Sequence, residues 1–273
     1  MKALRALLAA ACLVCAAVRV RAAAPAVTPR VGPPGGTLLI VGGGAMGGLW
    51  DVFLGLAGGR DSAIVVIPTA AATVEGEDSV LGVLRARGAS KVSQLHTKDR
   101  VVADSEEFCA PLRAARGVWI TGGRQWRLAD AYLDTRVQRE LEAVLARGGV
   151  IGGSSAGATI QGSYLVRGSP RDNRIMMSPG HERGFAFLRS SAIDQHVNTR
   201  GRAEDLRPVL RAHPSLLGVG LDESTAIIVR GDEAEVTGPG LARFFPDPES
   251  APHVLRAGAR FDLAARRPLA AAP

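Results

Sequence analysis

Ser155 lies at the centre of Gly153-Ser154-Ser155-Ala156-Gly157, a G-x-S-x-G directly after the apolar run Val150-Ile151-Gly152 and before Gly157-Ala158-Thr159, which can start a helix. A serine on a sharp strand-to-helix turn is held out of the sheet with its hydroxyl exposed, and small neighbours let a carbonyl approach closely. The amide of Ala156 would then point to a developing oxyanion at the positive end of the helix. The alternative is a Gly/Ser turn whose serine caps the helix. The strand-turn-helix placement favours a nucleophile. A serine hydroxyl needs a base with pKa near ~6.5 to take its proton at neutral pH. Of the five histidines, His196 follows the apolar-acidic run Ala192-Ile193-Asp194-Gln195, while His213 sits beside Pro214 and His253 lies in a proline-rich tail. His96 and His181 complete the set. Asp222 and Glu223 sit between the apolar runs Leu217–Leu221 and Ala226–Val229. A carboxylate there could orient an imidazole, giving serine, histidine and acid in chain order; a solvated hairpin turn is the other reading.

Other chemistry is poorly supported. Gly42–Gly47 formally satisfies G-x-G-x-x-G after a strand. A ribose-binding acid is then expected ~20 residues on, but the next strand ends in Pro68-Thr69-Ala70 with no carboxylate. The loop is read as a tight turn, and no cofactor is expected. There is no H-E-x-x-H and no paired Cys/His set, so no metal is expected either. Cys109 lies in EEFCAPL with no glycine turn beside it and is read as a buried bystander.

The elements that must position these groups alternate between strand and helix. TLLIV (37–41), AIVVI (63–67), KVSQLH (91–96), GVWIT (117–121) and GVIGG (149–153) read as strands, with LGVGLD and STAIIV (217–229) as two more. VLGVLRARG (80–88) reads as a helix. Leu128 to Arg147 reads as the longest one, its stripe running through Leu128, Ala131, Leu133, Val137, Leu141, Val144 and Leu145 and ending at Gly148-Gly149. Short apolar strands separated by helices predict an α/β fold with a mostly parallel sheet covered on both faces. Chemistry is then expected at the carboxyl ends of strands.

The chain has 273 residues, 47% apolar and 22% charged, enough for a sizeable core and one domain. Of its 33 basic residues all but Lys2, Lys91 and Lys98 are arginine, and they are dispersed among 26 acids, which argues against a nucleic-acid partner. Residues 1–24 carry Lys2 and Arg5, an apolar stretch from Ala6 to Val18, and Ala22-Ala23-Ala24, the pattern of a secretory signal cut after Ala22 or Ala23. The apolar run is shorter than the ~20 residues a stable span needs, and neither Cys12 nor Cys15 sits in a convincing lipobox. Cleavage would lower the formal charge from +7 to +3 and leave Cys109 as the sole cysteine, so no internal disulfide is expected. Residues 25–36 are expected to be a disordered lead, 37–245 the α/β domain and 246–273 a Pro/Ala-rich extension, with VLRAGARFDL forming a strand or hairpin and Ala264 to Pro273 frayed.

GGSSAGA (152–158), IDQHVNTRGR (193–202), VGLDESTAIIV (219–229) and TGGRQ (121–125) resemble, in order and spacing, the signature blocks of the cyanophycinase-like serine peptidases, relatives of aspartyl dipeptidase. The resemblance spans roughly residues 36–240. It implies a three-layer α/β sandwich like that of class I glutamine amidotransferases and hydrolysis of β-aspartyl-arginine units from cyanophycin, a poly-aspartate bearing arginines on its side chains. It makes Ser155 the nucleophile, His196 the general base and then acid, and Glu223 the third triad member, with Asp222 a structural neighbour. Gly123 and Ala156 would supply the oxyanion amides. Gln125, Asp194, Gln195, Arg200 and Arg202 would line the substrate pocket, where guanidinium suits a carboxylate and an acid such as Asp194 suits an arginyl side chain. Relatives suggest a homodimer. The chain departs from the pattern at Asp205, where the family usually has a third arginine, which puts cyanophycin itself in question while leaving the hydrolytic groups intact. The alternatives are an α-aspartyl dipeptidase-like hydrolase or a non-catalytic peptide-binding relative.

Overall fold

The computed structural model describes residues 31–270; the signal-like segment and residues 25–30 lie outside them. The first half runs β1 (Thr37–Val41), α1 (Leu49–Leu56), β2 (Ala63–Ile67), α2 (Ser79–Ala86), β3 (Lys91–Gln94), α3 (Arg100–Ala103), α4 (Glu106–Ala114), β4 (Gly117–Ile120), α5 (Gln125–Tyr132), α6 (Arg136–Ala146), β5 (Val150–Ser154) and α7 (Ala156–Thr159). The second half runs β6 (Gly162–Tyr164), β7 (Leu188–Asp194), α8 (Leu206–Ala212), β8 (Leu217–Leu221), β9 (Ala226–Arg230), β10 (Glu233–Thr237), β11 (Ala242–Phe245), β12 (His253–Leu255), β13 (Arg260–Asp262) and β14 (Arg267–Pro268).

The apolar runs become central strands because both faces are covered. Along β1, Leu38 and Ile40 pack into one cluster with Leu112, Leu128, Leu141 and Val144, while Leu39 and Val41 pack into another with Trp50, Phe53 and Leu84. Successive side chains of a strand point to opposite faces. Alternation into two cores thus gives the helix-sheet-helix layering of an α/β sandwich. The large sheet has the order β14-β13-β10-β9-β1-β5-β4-β2-β3. Its five strands β1, β5, β4, β2 and β3 are parallel, and β9, β10, β13 and β14 extend it antiparallel.

A second sheet, β12-β11-β8-β7-β6, was not anticipated. Its β6, β7 and β8 are parallel. Ile193, Leu217, Val219 and Phe244 join the core beneath the large sheet, while α8 covers the other face through Leu206, Val209 and Leu210. No helix among the described residues is long and apolar enough to cross a membrane.

Three expectations are revised. The helix expected over 128–147 is two, α5 and α6, because Asp134 takes the left-handed region at φ 61°. The break is held by the Thr135 hydroxyl, which donates to the Tyr132 carbonyl at 2.8 Å, and by the Asp134 amide, which donates to the Gln138 side chain at 2.8 Å. The end of the lead is tied down: the amides of Val31 and Gly32 donate to Asp232 Oδ1, and the Arg189 amide donates to the Val31 carbonyl. At the other end, β12 pairs with β11 and β13 with β10, with Phe261 and Leu263 buried. β14 pairs with β13, so Arg267 and Pro268 are not frayed.

Candidate active site

Ser155 stands between β5 and α7 at φ 56°, ψ −111°, a backbone conformation rarely occupied by a residue with a side chain. Its amide donates to the Val41 carbonyl of β1 at 3.1 Å, which fixes the turn against the sheet. Only small residues fit around it: a Cβ on Gly157 would fall 2.0 Å from the Ile120 carbonyl oxygen. This is the geometry of a nucleophile elbow.

His196 follows β7, and β7 belongs to the second sheet. The His196 amide donates to the Gly42 carbonyl at 2.8 Å, which joins the two sheets at this point. Nε2 of His196 is 2.9 Å from Ser155 Oγ, and Nδ1 is 2.5 Å from Glu223 Oε1. With a carboxylate at Nδ1 the ring carries its proton there, so Nε2 accepts from the serine hydroxyl. Glu223 Oε1 also accepts from the Thr199 hydroxyl at 3.0 Å, and the Glu223 amide donates to Asn198 Oδ1 at 3.0 Å. Burial lowers the His196 pKa, opposed by the bond to Glu223 and reinforced by Arg200. The bond from His196, then that from Thr199, lowers the Glu223 pKa.

The glycine loop after β1 is the bed of this triad. A Cβ on Gly43, which has φ 107°, would fall 2.2 Å from His196 Cε1, and one on Gly44 would fall 2.8 Å from the Glu223 Cβ. The Ser224 amide donates to the Gly43 carbonyl at 2.7 Å. The run is thus a tight turn, as expected, but one that seats the imidazole. Nothing in its sequence distinguishes that task from any other turn.

Asp222 points elsewhere: Oδ1 accepts from Arg243 Nη1 at 2.6 Å and Oδ2 from the Leu241 amide at 3.0 Å. The other histidines are occupied away from Ser155. His96 contacts the Thr69 hydroxyl, His181 lies 3.2 Å from Asp130, and His213 and His253 lie against Tyr164 and Phe261. Cys109 is buried and its thiol is pushed up to about 11 by desolvation, an inert state. Among the described residues no group of three or more His, Cys, Asp or Glu could hold a metal.

The turn Thr121–Gly123 lies against the serine, with a Cβ on Gly122 placed 3.4 Å from the Ser155 Cβ. Among the described residues the amides of Gly123 and Ala156 have no hydrogen-bond partner. Gln125 is buried, its Nε2 donating to the Val166 carbonyl at 2.8 Å. Arg200 is exposed, and its amide donates to the His196 carbonyl. Arg202 is buried, and its Nη1 donates to the Gln195 carbonyl at 3.0 Å and reaches Gln195 Oε1 at 3.3 Å. Asp194 does not stand open for a substrate cation: Arg167 Nε and Nη2 grip its two oxygens at 2.8 and 2.9 Å. The third guanidinium contact goes to Asp205, the position of the departure, at 2.6 Å. Arg167, Asn198 and Thr199 were not singled out from the sequence. Asn198 and Thr199 fall inside a signature block, but Arg167 carries no local signal.

Residues 38–237 match the model of Peptidase family S51. The cyanophycinase of Geminocystis herdmanii is 30% identical over 191 residues, which are 67% of this chain and 69% of that protein. The cyanophycinase of Trichormus variabilis is 32% identical over 201 residues, 69% of this chain and 64% of that protein, so the match leaves about a third of the relatives' length uncovered. Among solved structures, a peptidase from an acI-B1 Actinobacterium superposes with a TM-score of 0.65 at 23% identity, covering 84% of this chain and 97% of that one. A putative Peptidase E from Listeria monocytogenes gives 0.57 at 18% identity, covering 76% and 100%. These two speak to the fold. The family model, spanning β1 to β10 and every residue of the Ser155–His196–Glu223 chain, carries the assignment: the protein is a peptidase of family S51.

Proposed function

We propose that this peptidase is a serine exopeptidase that releases β-aspartyl-arginine units from cyanophycin or related aspartyl peptides through an acyl-enzyme. The observation that carries the reading is the continuous hydrogen-bond chain from Ser155 through His196 to Glu223. Ser155 Oγ attacks the backbone α-carbonyl that joins two aspartates as His196 Nε2 takes its proton, and Glu223 stabilises the imidazolium. The amides of Gly123 and Ala156 receive the negative charge on the carbonyl oxygen. His196 then gives the proton to the leaving α-amine. Water attacks the acyl-enzyme with the same base and frees Ser155.

On the substrate side, Arg202 has Nε and Nη2 unbonded to protein, suited to a carboxylate. Relatives named cyanophycinase support the polymer as substrate. Asp205, where the resemblance leads one to expect a further arginine, is taken up by Arg167, so carboxylate recognition falls to Arg200 and Arg202. Incubation with insoluble cyanophycin should release a β-aspartyl-arginine dipeptide, and Ser155→Ala should fold yet release none. Undiminished release by that variant would refute the assignment, and α-aspartyl products would redirect the substrate class.

Export and a homodimer belong to the same reading, the first from the charged-apolar-small pattern of residues 1–24 and the second from the resemblance. An exported protein beginning at Ala23 or Ala24 and sedimenting at twice the chain mass is expected. An intact Met1 outside the cytoplasm, or a monomer, would remove the corresponding part.

A further inference from the structure

Arg167 is a buried cation that the reaction does not use. Its side chain is 2% exposed, and its backbone sits in the left-handed region at φ 57°. All three nitrogens of its guanidinium are engaged: Nε and Nη2 fork onto Asp194, Nη2 also reaches Asp205 Oδ2, and Nη1 donates to the Asn173 carbonyl at 3.0 Å. These partners belong to the end of β7, the loop that follows it, and the long loop before it.

The neighbours of Arg167 in the chain reach the opposite wall of the site. The Val166 carbonyl accepts from Gln125 Nε2 at 2.8 Å, and the Ser169 carbonyl accepts from Arg124 Nη2 at 2.6 Å. Arg124 and Gln125 follow the glycine turn that lies beside Ser155. On the other side, Asp194 is two residues before His196. Its Oδ1 accepts from the Gln195 amide at 3.0 Å and lies 3.6 Å from Arg202 Nη1. One guanidinium thus ties the segment after the oxyanion turn to the segment that bears the base and a substrate-facing arginine.

We propose that Arg167 is a positioning residue for His196 and Arg202, holding through Asp194 and Asp205 the register between the base and the serine elbow. The inference rests on the serine-peptidase reading of the site. A neutral or unforked side chain at 167 would let the β7 end shift. A displacement of about 1 Å at a reacting group can cost ~100-fold in rate. The role also explains why Asp194, although acidic and beside the base, has no free oxygen to offer a substrate.

The test reads the Ser155–His196 pair without substrate, as the rate of inactivation by a serine-reactive phosphonate. Removing one member of a buried ion pair leaves an uncompensated charge and threatens folding, whereas replacing both by neutral groups does not. The variant is therefore Arg167→Met with Asp194→Asn. It should keep a cooperative thermal transition near that of the parent yet react about 100-fold more slowly. Arg167→Lys, which keeps the charge without the fork, should fall between. Leu141→Ala, in the buried stripe of α6, should lower the melting temperature and leave the rate unchanged, separating lost stability from lost positioning.

Inactivation of the folded double variant at the parental rate would overturn the positioning role while leaving the serine-peptidase reading intact. A parent protein that does not react at all would overturn that reading and this inference with it. If the double variant does not fold, Arg167→Lys decides on the same rate: slowed supports the role, unchanged overturns it.

Discussion

At His196 burial and the Glu223 bond pull in opposite directions, and burial wins, helped by Arg200 and Arg202. The pKa falls below its ordinary 6.5, so the imidazole is neutral at neutral pH, the state that the proposed base role requires. Glu223, its own pKa lowered by the bond from His196, remains a carboxylate through the same range. The rate of phosphonate inactivation should therefore rise with pH along a limb centred below 6.5. Arg200→Gln removes a positive neighbour that disfavours the imidazolium, so the limb should move to higher pH. A parental limb above 6.5, or a shift to lower pH in the variant, would contradict this balance. Ser155, His196 and Glu223 were legible in the sequence because each lies in a short local block that also fixes its backbone. Arg167 was not, since its meaning arises only when residues 27 and 38 positions away reach it.

At the scale of elements, the site is made where two sheets meet. Ser155 belongs to the large sheet through β5, His196 to the second through β7, and the glycine loop after β1 joins them by the bond from the His196 amide to the Gly42 carbonyl. Gly43→Ala places a methyl group on the imidazole and an L side chain at φ 107°. The ring must move, and turnover should drop by about 100-fold with the fold retained. Steady-state kinetics beside a circular dichroism spectrum checks it; turnover within a few-fold of the parent would show that the loop has room to yield. The parallel strands were readable because burial on both faces leaves continuous apolar runs. The α5–α6 break was not, because helical periodicity continues across it and a single residue, Asp134, turns the chain. Pairing of β6 to β8 as a separate sheet leaves no trace in any one strand.

For the whole molecule, β13 is part of the core, while β12 and β14 lie at the sheet edges. Phe261 of β13 is fully buried and stacks on Phe244 of β11 with ring centroids 4.1 Å apart, so it bridges the two sheets. Phe261→Ala should cost about 3–5 kcal/mol of stability in urea unfolding; a loss under about 1 kcal/mol would mark this segment as peripheral. VLRAGARFDL is readable as a strand or hairpin, but its division into β12 and β13, which pair with strands of two different sheets, leaves no local signal. The central claim remains that one hydroxyl is activated where the sheets join. Its most direct test is peptide mapping after phosphonate treatment. The adduct should sit on Ser155 and be lost when His196 is replaced by alanine; an adduct on another residue, or equal labelling without that imidazole, would contradict the account.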